Sequence, residues 1–105
     1  AGIGPDVVRR LRRGEWVVRM QVDLHGLRVD EAREALVGFL AQAVRDEIRC
    51  VRIIHGKGLG SIGKEPVLKR KVPRWLVQRE EVLAFWEARP NDGGSGAVIV
   101  LLRVQ

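Results

Sequence analysis

The side chains best suited to proton transfer and anion chemistry fall in two short stretches, Asp23-Leu24-His25-Gly26 and His55-Gly56-Lys57-Gly58. The chain has two histidines, and each sits in one of these stretches. A carboxylate next to an imidazole orients one ring nitrogen and stabilises the charged ring, which leaves the other nitrogen free to exchange a proton near neutral pH. Asp23 and His25 are two apart, a spacing that puts both on the same side of a strand. His55 offers a second proton-transfer group and Lys57 a cation for a phosphate oxygen. Gly26, Gly56 and Gly58 leave backbone N–H groups unshielded, as anion-cradling nests require. Each piece also has a plain structural use: a strand-end histidine is often a satisfied structural residue, and a glycine pair often serves only a tight turn.

The two stretches matter jointly only if the fold brings them together. Residues 16–24 alternate, with Trp16, Val18, Met20, Val22 and Leu24 on one side and Val17, Arg19, Gln21 and Asp23 on the other, which predicts a half-buried strand. Apolar residues Ala32, Ala35, Leu36, Phe39, Leu40, Ala43 and Val44 then recur at three-and-four spacing behind Asp30 and Glu31, which predicts a helix. After the charged connector 45–47, the β-branched run 48–54 predicts a second strand ending in the glycine loop. Strand, helix and strand imply a right-handed parallel crossover, so both strands finish at one edge of the sheet. Ligands of open α/β sheets bind beyond that edge.

Pro66 offers itself as the first residue of a second helix carrying Val67, Leu68, Val72, Trp75 and Leu76, with Pro73 expected to shorten or kink it. Strands over 82–86 and 97–104 follow, the last apolar almost throughout, as in a strand covered on both faces or flanked on both edges. Gly93, Gly94 and Gly96 lie in the turn between them, which joins the same edge if the third strand is parallel to the first two. A short helix near Pro5 bears Arg9, Arg10, Arg12 and Arg13. Residues 1–15 thus form a basic arm, either docked by its apolar stripe or contacting phosphates, ahead of one βαβαββ domain over 16–105.

At 105 residues the chain is the size of a single domain. Lys and Arg number nineteen against thirteen Asp and Glu, a formal charge of +6 that favours polyanionic partners through counterion release. No apolar run approaches the roughly 20 residues that span a bilayer. The single cysteine, Cys50, can form no internal disulfide and reads as a small buried hydrophobe in a reducing cytosol. The chain starts at Ala1 with no signal-peptide order, so a fragment or processed form of something longer is expected. A Walker A pattern is absent, which disfavours a nucleotide-metabolising enzyme.

Val22-Asp23-Leu24-His25-Gly26 before a helix, Ile54-His55-Gly56-Lys57-Gly58 after the second strand, and Gly93-Gly94-Ser95-Gly96-Ala97 before the apolar last strand resemble the Smr (small MutS-related) domain in order and spacing. The Arg12-Arg13-Gly14 lead-in also looks typical of that family, and the whole resembles its stand-alone bacterial members. The resemblance implies a two-layer α/β sandwich like the C-terminal domain of translation initiation factor three. Its four-stranded mixed sheet would hold the fourth strand between two others. It also implies an endonuclease that nicks DNA or cleaves RNA, with catalysis by Asp23 and His25 and substrate binding by the loop 55–58. Two departures are visible. Arg28 stands where a polar capping residue is usual, and residues 59–65 are longer and richer in glycine than in many relatives.

The expected function is therefore cleavage of phosphodiester bonds in RNA, with ribosome-associated messenger RNA the substrate that the resemblance implies, or in DNA, in the cytoplasm and by a monomer. Asp23 and His25 are the expected catalytic pair. Gly26, His55, Gly56, Lys57, Gly58, Gly93, Gly94 and Gly96 are the expected substrate cradle. No metal is required, because no dense carboxylate cluster lies near the motifs; Mg²⁺ or Mn²⁺ on Asp23 is the alternative. The alternative function is a non-catalytic nucleic-acid or ribosome-binding module. Aromatic platforms for stacked bases are expected to be scarce, with three Trp, two Phe and no Tyr.

Overall fold

A computed structural model of the chain describes residues 4–57 and 67–103. Its elements are α1 (Pro5–Arg12), β1 (Met20–Asp23), α2 (Val29–Arg45), β2 (Cys50–Ile54), α3 (Val67–Val77), β3 (Val82–Glu87) and β4 (Ala97–Leu102). Two three-ten turns, Pro90–Asp92 and Gly94–Gly96, join the last two strands. The expectations placed on Gly58, residues 59–65, Pro66 and Val104 fall outside the described residues.

The four strands form one mixed sheet in the order β1-β2-β4-β3. β1 and β2 are parallel, and β4 runs antiparallel to both β2 and β3. β3 therefore runs with β1 and β2, and all three end at the same edge. β4 is buried at every position because it has a strand on each side and a packed layer on each face. Val98, Val100 and Leu102 face the core under α2 and α3, with Leu36, Leu40, Val72 and Leu76. Ala97, Ile99 and Leu101 face a smaller cluster closed by Leu11 of α1. The basic helix is thus docked by its apolar stripe, with Leu11 buried against the β3 side of the sheet.

Local chemistry explains the elements. α1 starts at Pro5, whose missing N–H is not needed in a first turn, and carries its arginines in the last turn, where the helix dipole favours cations. In α2 the Arg28 amide donates to the Glu31 carboxylate at 3.0 Å, so Glu31 supplies the cap that Arg28 cannot. Its far end is a left-handed cap, in which the Ile48 amide reaches the Ala43 carbonyl at 2.9 Å and the Glu47 amide the Val44 carbonyl at 3.1 Å. Glu47 holds φ +57°, a conformation that normally calls for glycine.

Three expectations about elements need correction. The first strand is shorter than 16–24: regular pairing starts at Met20, although the alternation of exposure persists from Trp16. Trp16 and Val18 join the cluster beneath α1 whereas Met20 and Val22 join the main core, because the chain must descend from α1 on one face before it enters the sheet. Second, Pro73 does not shorten α3, which continues past it to Val77. The proline deprives the Lys69 carbonyl of its donor, but buried Val72, Trp75 and Leu76 hold the turns on either side. Third, β2 starts at Cys50 rather than at Ile48, which the cap of α2 claims. Cys50 is 2% exposed, and burial pushes its thiol up to about 11, the state of an inert core residue.

Glu47→Gly should raise stability by up to about 1 kcal/mol by removing the left-handed strain, less the entropy that glycine adds to the unfolded chain. Glu47→Val should lower it. Urea denaturation midpoints of the two variants check the sign.

Candidate active site

The parallel edge is built around one buried residue. Leu24 follows β1, is fully buried, and donates its amide to the Ile54 carbonyl at 2.7 Å, so the chain is pinned to β2 between its two polar neighbours. Beyond it the Leu27 amide reaches the Leu24 carbonyl at 3.1 Å, which closes a turn with His25 at its second position and Gly26 at its third. Gly26 has φ +80°, as a type II turn demands. His25 is thus a turn residue, not a strand residue, and strand alternation does not align it with Asp23. The alignment comes instead from the Asp23 side chain, whose Oδ1 accepts the His25 amide at 3.0 Å. The same oxygen lies 2.5 Å from His25 Nδ1.

Two donors on one carboxylate oxygen set the electrostatics. Burial pulls the Asp23 carboxyl upward, but the hydrogen bonds from the His25 ring and amide, with the attraction of a charged ring, outweigh it and leave the group below the usual aspartate value. An ionised Asp23 accepts, so Nδ1 carries the proton and Nε2 holds the free lone pair. The His25 side chain is 67% exposed, so the pair faces solvent at the rim of the sheet.

His55 and Gly56 approach from β2. Both of their amides donate to a single acceptor, the Gly96 carbonyl, at 2.9 Å each, which locks this loop to the β3–β4 connection. Gly56 has φ +85°, and a Cβ on it would lie 3.2 Å from the His25 Cβ. Glycine here lets the two motifs touch. A Cβ on Gly96 would likewise lie 3.2 Å from the Lys57 Cγ, so Lys57 lies against the glycine turn while its residue remains exposed.

His55 itself departs from expectation. It is 6% exposed, and its Nδ1 donates to the Gly56 carbonyl at 2.7 Å. Burial pushes its pKa below the ordinary histidine value. The Gly56 carbonyl opposes that shift, Lys69 adds to it and Glu87 opposes it. A buried, neutral ring tied to its own loop shapes the backbone and is a poor second proton donor. Among the glycines, Gly93 has φ +118° and packs so tightly that a Cβ would lie 2.8 Å from the Ala97 Cβ, whereas Gly94 and Gly26 face open space.

The structure also adds residues that the sequence pattern did not single out. Arg52, in the middle of an apolar strand, donates twice to Gln21 Oε1, at 3.0 and 2.6 Å, and to the Asp92 carbonyl at 3.3 Å. A charge inside a β-branched run was the available signal, since it marks a face of the sheet that is not fully covered. Among the described residues, no group of three or more His, Cys, Asp or Glu side chains is arranged to hold a metal ion. No helix among them is long and apolar enough to cross a membrane.

The family model described as the Smr domain matches residues 22–103. Ribosome rescue factor SmrB of Aliivibrio salmonicida is 41% identical over 103 residues, a match covering 98% of this chain and 55% of that protein. SmrB of Vibrio vulnificus is 43% identical over 97 residues, covering 92% of this chain and 52% of its own. The chain therefore spans about half the length of the curated relatives it matches. Among solved structures, YdaL, a stand-alone small MutS-related protein from Escherichia coli, superposes with a TM-score of 0.80 at 37% identity, covering 97% of this chain and 78% of YdaL. The Smr domain of Thermus thermophilus MutS2 gives 0.71 at 33%, covering 81% and 99%.

The state of His55 predicts a pH dependence. Its folded pKa lies below the unfolded value of about 6.5, so the proton favours the unfolded chain. That contribution to stability is complete above about pH 6.5 and declines as the pH falls below it. Urea midpoints at pH 7.5 and 5.5 should show the loss. His55→Asn, which keeps a donor for the Gly56 carbonyl but cannot titrate, should narrow the difference.

Proposed function

The chain belongs to the Smr domain family, and from that premise and the Asp23–His25 geometry we propose that it is an endonuclease acting on RNA phosphodiester bonds. The observation that carries the reading is the 2.5 Å contact between His25 Nδ1 and an aspartate held in its ionised form. This arrangement commits the ring to the tautomer whose Nε2 accepts protons, and it stabilises the imidazolium that results.

In this reading Nε2 of His25 takes the proton of a ribose 2′-OH. The 2′-oxygen attacks the adjacent phosphorus, the 5′-oxygen leaves with the electrons of its bond to phosphorus and takes a proton from water, and a 2′,3′-cyclic phosphate and a 5′-hydroxyl are left while the Nε2 proton returns to solvent. Lys57 stabilises the charge gathering on the phosphoryl oxygens, since the His55 and Gly56 amides, expected as a nest, are already spent on the Gly96 carbonyl. Lys57 rather than His55 takes this part because it is the exposed one. Gly26 and Gly94, with open space beside them, let a phosphate backbone approach closely, while Gly93 and Gly96 act by holding the turn. The step as proposed runs through protein groups alone.

The kinship with proteins named ribosome rescue factors supports messenger RNA on ribosomes as the substrate, hence a cytoplasmic site of action. We propose that the chain acts as a monomer. A formal charge of +6 suits such a polyanionic target.

Asp23→Ala and His25→Ala should each lower cleavage of a labelled RNA by about 10²- to 10⁴-fold, the usual worth of a positioned acid–base group, while thermal melts stay close to wild type. The products should carry cyclic phosphate and 5′-hydroxyl ends, and a chelator should leave the rate unchanged. Ends bearing 5′-phosphate together with chelator sensitivity would mean an activated water with Mg²⁺ or Mn²⁺ on Asp23 instead. Binding of RNA that survives both substitutions, with no cleavage by wild type, would leave a binding module.

A further inference from the structure

The sheet face opposite α2 and α3 carries a feature that the edge chemistry does not use. Cross-strand register places Gln21 beside Arg52, Arg52 beside Ile99 and Ile99 beside Trp86, so these four residues form one row across all four strands. Paired residues share a face, and Ile99 belongs to the cluster beneath α1, so the row lies on that side. Asp23 lies on the same face two residues beyond Gln21, toward the edge. Trp86 is 40% exposed, high for the side chain with the largest apolar surface. The Arg12 guanidinium lies over its ring, 4.6 Å from the centroid. Arg9, Arg12 and Arg13 line an open cleft of about 360 Å³ on α1. Exposed Arg89, just past the end of β3, is joined to this end of α1 by a 2.5 Å hydrogen bond to the Arg13 carbonyl.

We propose that Trp86 and the Arg9–Arg12–Arg13 cleft form a subsite for an unpaired nucleotide of a single-stranded substrate whose scissile bond lies at the Asp23–His25 edge, a proposal that rests on the nuclease reading above. An exposed indole accepts any base by stacking, and guanidinium groups beside it bind the adjoining phosphates. Arg12 serves both parts: it covers the ring in the free protein and turns to a phosphate when a base takes its place. Strands lie about 4.8 Å apart, so the three spacings from β1 to β3 amount to about 14 Å, and with the two residues of about 3.3 Å each from Gln21 to Asp23 the gap is about 16 Å. With one phosphate per about 3.4 Å of stacked strand, it holds about five nucleotides or fewer. A duplex can meet the arginines through its phosphates but not the indole, since its bases are stacked within the helix and cannot reach the ring.

The test uses the chain carrying His25→Ala, so that the probe stays intact, with a fluorescein-labelled 12-nucleotide uridine RNA and an RNA duplex of the same length. Adding Trp86→Leu should weaken single-strand binding at least fivefold and duplex binding by less than twofold. Adding Arg12→Gln and Arg13→Gln together should weaken both probes and flatten the dependence of log Kd on log salt by about 2. Tryptophan emission of the His25→Ala chain should be quenched by unlabelled single strand, and Trp86→Phe, which preserves packing, should remove most of the quenching. Equal single-strand affinity with and without Trp86→Leu, or undiminished quenching in Trp86→Phe, overturns the subsite and leaves the edge chemistry untouched. Failure of the His25→Ala chain to bind either probe overturns the subsite as well, and with it the nucleic-acid reading of the edge.

Discussion

The Gly96 carbonyl accepts the amides of both His55 and Gly56 at 2.9 Å, and the working edge of the sheet depends on that shared acceptor. It ties the end of β2 to the turn before β4, two segments forty residues apart in sequence. Through Gly56, which has no Cβ to hold the next loop away, the same clamp sets how closely β2 approaches His25. Leu24 does the corresponding work on the other strand: its burial is an apolar anchor worth about 1.5–3 kcal/mol, and its amide bond to Ile54 fixes the strand end. The polar residues of the edge are thus positioned by a leucine and two glycines. The short contacts between Asp23 and His25 follow from that backbone.

The covered and open faces of the sheet divide the molecule's labour. α2 and α3 cover one face, leaving Met20, Val22, Val82 and Phe85 partly buried, and supply most of the core. The other face is closed beneath α1 on the β3 side, whereas toward β1 it carries Gln21, Asp23 and a part-buried Arg52. That asymmetry explains why Arg52 is tolerated in mid-strand. Gln21 and the Asp92 carbonyl satisfy the guanidinium, and in doing so they draw the Pro90–Asp92 turn down onto the sheet. The basic arm is part of this arrangement, since Leu11 docks it on the sheet while Arg12 and Arg13 remain at the surface.

Much of this was legible in the sequence where periodicity and turn chemistry speak directly. The three-and-four spacing of Ala32, Leu36, Leu40 and Ala43 and the unbroken apolar run of β4 correspond to the observed helix and central strand, and the parallel crossover brings the Asp23 and His55 stretches to one edge. What could not be read is what depends on tertiary partners. Nothing local distinguishes His55, buried with its ring on the Gly56 carbonyl, from His25, exposed on its turn, because both precede a glycine at a strand end. Trp86 sits in a strand that looks like core, and its exposure follows from where α1 stops. Alternation could not foresee that Trp16 and Val18 leave the main core, since a bend carries them to the other face without breaking the pattern.

An exposed Asp–His pair raises a question of dielectric. A carboxylate and imidazole in contact with water interact far more weakly than the same pair in a dry cleft, since Coulomb energies fall severalfold between a protein interior and bulk solvent. His25 is 67% exposed at the side chain and Asp23 is 48%. The free protein therefore holds the geometry of an acid–base pair without its full strength. A substrate strand lying across the edge would supply what is missing: its sugar and base would displace water from the ring, and its phosphate would meet Lys57 at the same moment. On the proposed reading, exposure would serve selectivity, because the pair would act only beneath a bound strand, and a strand would be held there only where the flanking surface also binds it.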